Sequence, residues 1–124
     1  TLKSLSLSNV GLTDLDGMAA LPLLRELRLS RNNISDVTAL ATHEHLEVLD
    51  LRWNNINSLW ALELLGTIDT LQCLDLRGND VCLKLGEDLE VYYRAIVGYF
   101  IPSLRVLDGK RVYIREREDA GIVD

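Results

Sequence analysis

Apolar positions along this chain recur with a long period, overlaid on the short alternation of a strand. The fullest copy is Leu46-Glu47-Val48-Leu49-Asp50-Leu51-Arg52-Trp53-Asn54-Asn55-Ile56, with aliphatics at relative positions 1, 4, 6 and 11 and asparagine at 9. The skeleton returns upstream as Leu24, Leu27, Leu29, Asn32 and Ile34, and downstream as Leu71, Leu74, Leu76, Asn79 and Val81. A weaker copy opens the chain with Leu2, Leu5, Leu7 and Leu12, and places Val10 where the others have asparagine. The starts Leu2, Leu24, Leu46 and Leu71 lie 22, 22 and 25 residues apart. Positions 1, 4 and 6 predict a short strand whose leucines point inward. Positions 14, 17 and 20 (Leu15, Met18, Leu21; Val37, Leu40, His43; Leu59, Leu62, Leu65) recur every three residues and predict a 3₁₀ or irregular helical return. Each unit leaves one apolar side bare until a neighbour covers it, so the units must stack along one axis.

Asn32, Asn54 and Asn79 stand where the strand bends away and its backbone loses strand partners. A buried amide carries donors and an acceptor and can satisfy those groups across adjacent turns. Val10 cannot, which predicts a poorer first turn. The three additional residues of the third repeat fall near Gly66-Thr67-Ile68-Asp69-Thr70 and predict an outward bulge.

This L-x-x-L-x-L-x-x-N-x-L pattern resembles the signature of leucine-rich repeats. After Val81 it stops. Glu87 to Phe100 then predicts an amphipathic helix with apolar Leu89, Tyr92, Tyr93, Ile96, Val97 and Phe100, followed by a last strand and turn at Pro102 to Gly109. Tyr93-Arg94, Val97, Pro102, Leu104 and Leu107-Asp108-Gly109 resemble the C-terminal cap of intracellular leucine-rich repeat proteins. Asp80 departs from that pattern, which often has proline there, and predicts a looser turn. The resemblance implies an α/β solenoid: a right-handed repeat array with a short-stranded parallel concave sheet and a C-terminal helical cap. Four repeats would fill residues 1–83, the cap 84–112 and a charged tail 113–124. Val112 and Ile114 would clip the tail to the cap, with a frayed helix beyond. Nothing caps the first repeat, so a fragment or an unordered upstream part is expected.

Composition narrows the function. The sequence of 124 residues is 48% hydrophobic but has only two Trp, four Tyr and one Phe, so its core must be built from leucine. A net charge of −6 argues against non-specific grip on nucleic acid. The apolar runs fall far short of the ~20 residues a membrane-spanning helix needs. Cys73 and Cys82 occupy different phases of the last repeat and predict free thiols in a reducing compartment; the resemblance agrees, since secreted members usually end in a disulfide-bonded cap.

Alternation along the strands puts positions 3, 5 and 7 on the concave face. Position 3 reads Ser4, Glu26, Val48, Cys73, Val106; position 5 reads Ser6, Arg28, Asp50, Asp75, Asp108; position 7 reads Ser8, Ser30, Arg52, Arg77, Lys110. Strands about 4.8 Å apart would turn these rows into apolar, acidic and basic ladders. One explanation is a self-neutralised, solvated sheet; the other is a mixed-charge stripe that recognises a partner. Trp53 favours the second, because Trp and Arg are enriched at binding hot spots. Gly78 would leave one side of its indole uncovered and Arg31 could stack on the other, although Trp53 could equally shield the edge of the Asn turn. Trp60 predicts plain packing. His43-Glu44-His45 lacks a third metal ligand, and His43 predicts a partly buried, hydrogen-bonded imidazole. Asp75 works against a reactive Cys73 thiol. No phosphate loop, nucleophile elbow or carboxylate pair marks a catalytic centre.

The expectation is a non-catalytic, cofactor-free and metal-free module that binds another protein through Arg28, Arg31, Val48, Asp50, Arg52, Trp53, Cys73, Asp75 and Arg77, with no small-molecule substrate, direct nucleic-acid contact or membrane contact. The family resemblance extends to the protein-phosphatase regulatory subunit, the spliceosomal A-prime protein, acidic nuclear phosphoproteins, axonemal dynein light chains and many centrosomal and ciliary proteins. It implies an intracellular, cytoplasmic place in a cytoskeletal, ciliary or centrosomal assembly. The alternatives are a nuclear ribonucleoprotein adaptor of the A-prime type and an architectural domain of a longer self-assembling protein.

Overall fold

The computed structural model describes residues 1–85 and 88–113. Among them, strands β1 (Ser4–Ser6), β2 (Glu26–Arg28), β3 (Val48–Asp50), β4 (Cys73–Asp75) and β5 (Val106–Leu107) pair in parallel and in sequence order. Strand β6 (Lys110–Arg111) folds back antiparallel on β5. The register is the one the repeat spacing demands: Glu26 beside Val48 beside Cys73, and Leu27 beside Leu49 beside Leu74. Leu27, Leu29, Leu49, Leu51, Leu74 and Leu76 are buried, so the leucine spine faces inward. Burying one such side chain contributes about 1.5–3 kcal/mol, so a continuous spine outweighs the modest pairing of three-residue strands.

Three asparagines tie the turns together. Asn54 Nδ2 donates to Leu29 O at 2.9 Å and Leu51 O at 3.1 Å, while its Oδ1 accepts from Ile34 N at 3.1 Å. Asn79 repeats the arrangement towards Leu51, Leu76 and Ile56. Val10 is exposed, but its turn is held by the next repeat: Asn32 Oδ1 accepts from Val10 N and Leu12 N, and its Nδ2 donates to Leu7 O.

The outer return differs between repeats. The first two use 3₁₀ turns at Met18–Ala20 and Thr38–Leu40. In the third, the additional residues do not bulge. They lengthen the return into helix α1 (Leu59–Gly66), started by Ser58 Oγ accepting from Trp60 N. Helical periodicity replaces the three-residue spacing there, so Leu59 turns outward while Ala61, Leu62 and Leu65 are buried. Trp60, expected to pack, is 63% exposed. His43 occupies a leucine place and is 3% exposed, with neither ring nitrogen hydrogen-bonded. The hydrogen-bonded imidazole expected there is not found.

After Asp80 a single turn, α2 (Val81–Lys84), leads to the cap. The cap helix α3 (Leu89–Ala95) is started by Asp88, whose carboxylate accepts from Glu90 N. It does not run unbroken to Phe100: a wider π turn takes over at Ile96–Phe100, closed by Ile101 N donating to Ile96 O. Glu87 lies outside the described residues. Leu89, expected on the buried face, is 77% exposed, whereas Tyr92, Ile96 and Val97 are buried. The π turn lays the Phe100 carbonyl against Gly66 so closely that a Cβ there would stand 2.1 Å from the oxygen. Ile101, Leu104 and Leu107 close the end of the leucine stack, and Val112 packs half-buried against it. Ile114 and the rest of the expected tail lie outside the described residues. No helix among those described is long and apolar enough to cross a membrane.

Candidate functional site

Position 3 of the strands puts Val48, Cys73 and Val106 side by side on the concave face. They line a shallow groove of about 180 Å³ together with Asp50, Asp75 and Gly109. Val106 and Gly109 were not among the expected binding residues. The signal for Val106 was available, since it continues the apolar row past the last full repeat.

Charges on either side of the groove are paired within repeats. Arg52 Nε and Nη2 donate to the two oxygens of Asp50 at 3.0 and 2.9 Å, and Arg52 N also reaches Asp50 Oδ1. Arg77 holds Asp75 in the same way, at 3.0 and 2.5 Å. Arg52 Nε lies 3.6 Å from Asp75 Oδ2 and links the two pairs. The cause is geometric: residues two apart on a strand share a face, and a guanidinium matches a carboxylate with two parallel bonds. The Asp50 side chain is only 12% exposed beneath this clamp, while Arg52 and Arg77 stay about half open. Burial alone would raise the Asp75 carboxyl, but hydrogen bonds from Arg77 and the charges of Arg77 and Arg52 hold it below its ordinary range. Arg52 and Arg77 are raised, first by those hydrogen bonds and then by carboxylate charge. Burial pushes the Cys73 thiol up, so it is a half-covered apolar contact rather than a nucleophile. Cys73 and Cys82 are both free thiols in the structure.

Arg28 pairs with Glu26 at 2.8 Å, one repeat away from this network. Two members of the expected ladders leave them. Asp108 stands in the turn after β5 with φ 51°, and its carboxylate accepts from Leu76 N at 2.7 Å and from the Tyr92 hydroxyl at 2.8 Å. Burial raises this carboxyl despite both donors. Burial, followed by the neighbouring Asp108 charge, drives the Tyr92 phenol far above its ordinary value, so it remains a donor. Asp108 is therefore a clasp between cap and sheet. Lys110 lies in the returning strand β6, opposite Leu107, and not beyond Arg77 in the basic row.

Trp53 is 56% exposed, at the edge of the sheet. Its φ of 56° is left-handed, as are those of Asn9, Arg31 and Gly78 at the same repeat position. Residue spacing alone does not reveal that shared conformation. Gly78 does not leave the indole bare: a Cβ there would stand 2.4 Å from the ring, so the glycine is where Trp53 rests. Arg31 makes no cation–π contact with it; among the described residues those contacts are Lys110 over Tyr93 and Arg111 over Tyr113. The structure thus unites Val48, Asp50, Arg52, Cys73, Asp75 and Arg77, with Trp53 at their rim, and leaves Arg28 and Arg31 peripheral. Among the described residues no cluster of His, Cys, Asp and Glu could hold a metal ion.

These features are those of a protein-binding repeat fold, and the chain belongs to the leucine-rich repeat family, whose model matches residues 2–123. It is of the type with 22-residue repeats and a C-terminal cap. No curated protein sequence matches it significantly. Among solved structures it is similar to a chain in the Drosophila melanogaster SNF/U2A′ complex, with 28% identity and a TM-score of 0.77, over 96% of this chain and 66% of that one. The chain thus spans just under two thirds of that neighbour. It is also similar to a chain of the Chaetomium Mex67:Mtr2 subunits, with 26% identity and a TM-score of 0.65, over 94% and 87%. A likeness to internalin C2 from Listeria monocytogenes, at 24% identity and a TM-score of 0.61 over 84% and 40%, concerns the fold alone.

Proposed function

We propose that the chain is a non-catalytic module whose concave face binds another protein at Val48, Asp50, Arg52, Trp53, Cys73, Asp75 and Arg77, with Arg28 and Arg31 flanking. One observation carries this reading: an indole 56% exposed on a glycine seat, beside two half-open arginines and an apolar groove. Folding alone does not require any of these, since exposed ion pairs contribute only about 0–1 kcal/mol. Trp and Arg instead supply large contact area and directed donors to a partner.

Two neighbours come from structures of protein complexes, SNF/U2A′ and Mex67:Mtr2. The first supports a nuclear ribonucleoprotein adaptor of the A-prime type over a cytoskeletal or ciliary assembly, which rests on family resemblance alone. The test is affinity capture with the tagged chain, wild type against Arg52→Glu/Trp53→Ala. Loss of the main protein partner by about ten-fold or more, from a variant that a thermal melt shows to be folded, is expected. Undiminished capture by the folded variant would remove this surface from consideration. Recovery of a partner with an RNA-recognition domain, in salt-sensitive association with RNA, separates the adaptor reading from the cytoskeletal one.

A further inference from the structure

A second concavity lies beyond the concave sheet, between α3 and the β5–β6 hairpin. It encloses about 880 Å³, within the range of clefts that take several side chains of a ligand. Its walls include Arg77, Glu90, Arg94, Asp108, Lys110 and Arg111. In a chain of net charge −6, the described residues make this a local excess of positive charge. Both carboxylates are already committed: Glu90 to Arg94 at 2.6 Å, and Asp108 to Leu76 N and the Tyr92 hydroxyl. Lys110 and Arg111 are exposed and have no carboxylate within ion-pair distance among the described residues. Each stands about 6 Å over a tyrosine ring, Lys110 over Tyr93 and Arg111 over Tyr113. The rim adds apolar surface that packing does not use: Leu89 is 77% exposed and Tyr113 58%.

We propose that this cleft binds an acidic linear segment of a partner protein, its carboxylates on Lys110 and Arg111 and an apolar side chain on Leu89. A short acidic peptide feels chiefly the local cations, because charges farther than about 8–10 Å away are screened at ordinary salt. A long nucleic acid feels the repulsion of the whole acidic chain, and the exposed Leu89 offers a nucleic acid nothing. The site goes beyond the concave-face reading and shares only Arg77 with it.

Selection of a random dodecapeptide library against the whole chain, followed by fluorescence anisotropy of the enriched peptide, tests this. Enrichment of Asp and Glu around an apolar residue is expected. Lys110→Glu/Arg111→Glu should weaken the peptide by about ten-fold or more and Leu89→Ser by about three-fold, while Arg52→Glu/Trp53→Ala changes it by less than about two-fold. All of these substitutions are at exposed or half-exposed side chains, and a thermal melt confirms folding of each variant. The proposal is overturned if no acidic consensus emerges, if binding survives Lys110→Glu/Arg111→Glu, if it falls equally with Arg52→Glu/Trp53→Ala, or if oligouridine displaces the peptide at equal concentration. It is also overturned if only the Glu116→Lys/Glu118→Lys/Asp119→Lys chain binds, which would assign the cleft to the chain's own C-terminal residues.

Discussion

The first two repeats carry Ser4, Ser6, Ser8 and Ser30 on the sheet and return through three-residue 3₁₀ turns. The last two carry the Asp50–Arg52 and Asp75–Arg77 clamps around an apolar groove, return through α1 and α2, and end against the cap. Yet β1 pairs with β2 in the same register as β3 with β4. Backbone geometry is set by the inward leucines and the asparagine ladder, so the outward positions are free to differ. At one end they are mostly small hydroxyls, with Ser30 donating to Ser8 at 3.1 Å. At the other they form a surface with shape and charge.

Breaking the ladder should show this contrast most strongly. Asn54→Ala removes four hydrogen bonds, three from Nδ2 and one to Oδ1, and should cost about 4 kcal/mol in urea unfolding. Val10→Ala, at the matching position of the first repeat, should cost less than about 0.5 kcal/mol. Equal losses would mean that the first repeat is held as firmly as the third. Cap docking provides the next contrast. Gly66→Ala forces a methyl against the Phe100 carbonyl and should cost about 2 kcal/mol. Gly17→Ala meets no atom within 4 Å and should cost only about 1 kcal/mol, for its φ of 92°. A smaller effect for Gly66→Ala than for Gly17→Ala would show the α1–cap contact to be loose.

Replacing the unbonded imidazole sharpens the comparison from the other side. His43→Leu supplies the residue type found at Leu21 and Leu65 and should stabilise the chain by about 1 kcal/mol, read as a rise in melting temperature. A fall would point to a partner for the ring. The smallest effect is a pH slope. Asp108 titrates higher folded than in an ordinary carboxyl, so its contribution is largest below the ordinary range and declines as pH rises through the raised value. Asp75 has the opposite sign: its contribution is present above the ordinary range and is lost as pH falls through the lowered value. The stability of wild type relative to Asp108→Asn should therefore shrink as pH rises through and above the ordinary carboxyl range, whereas relative to Asp75→Asn it should shrink only as pH falls below that range. Parallel pH profiles for the two variants would contradict both environments.

Much of the site was legible because strand alternation is rigid: once Leu49 and Leu51 face the core, Asp50 and Arg52 must share the other face. The departures came where a contact between distant segments decided the outcome. Trp53 and Gly78 stand in adjacent repeats, and only their stacking shows that the glycine seats the indole. Asp108 and Lys110 continue the strand pattern in sequence, but the cap draws Asp108 to Tyr92 and turns Lys110 back along β5. The expected bulge failed similarly, since three extra residues satisfy more backbone groups as a helical turn than as a loop.

The sequence by itself determined the repeat period, the inward leucines, the asparagine ladder and which residues share the concave face, because these follow from local spacing and chain geometry. Tertiary structure alone decided the length of each return, the burial of Asp50, the clasp at Asp108 and the cationic cleft under the cap. Those depend on which side chains and carbonyls meet across the fold, where desolvation and close packing, not periodicity, determine the energy.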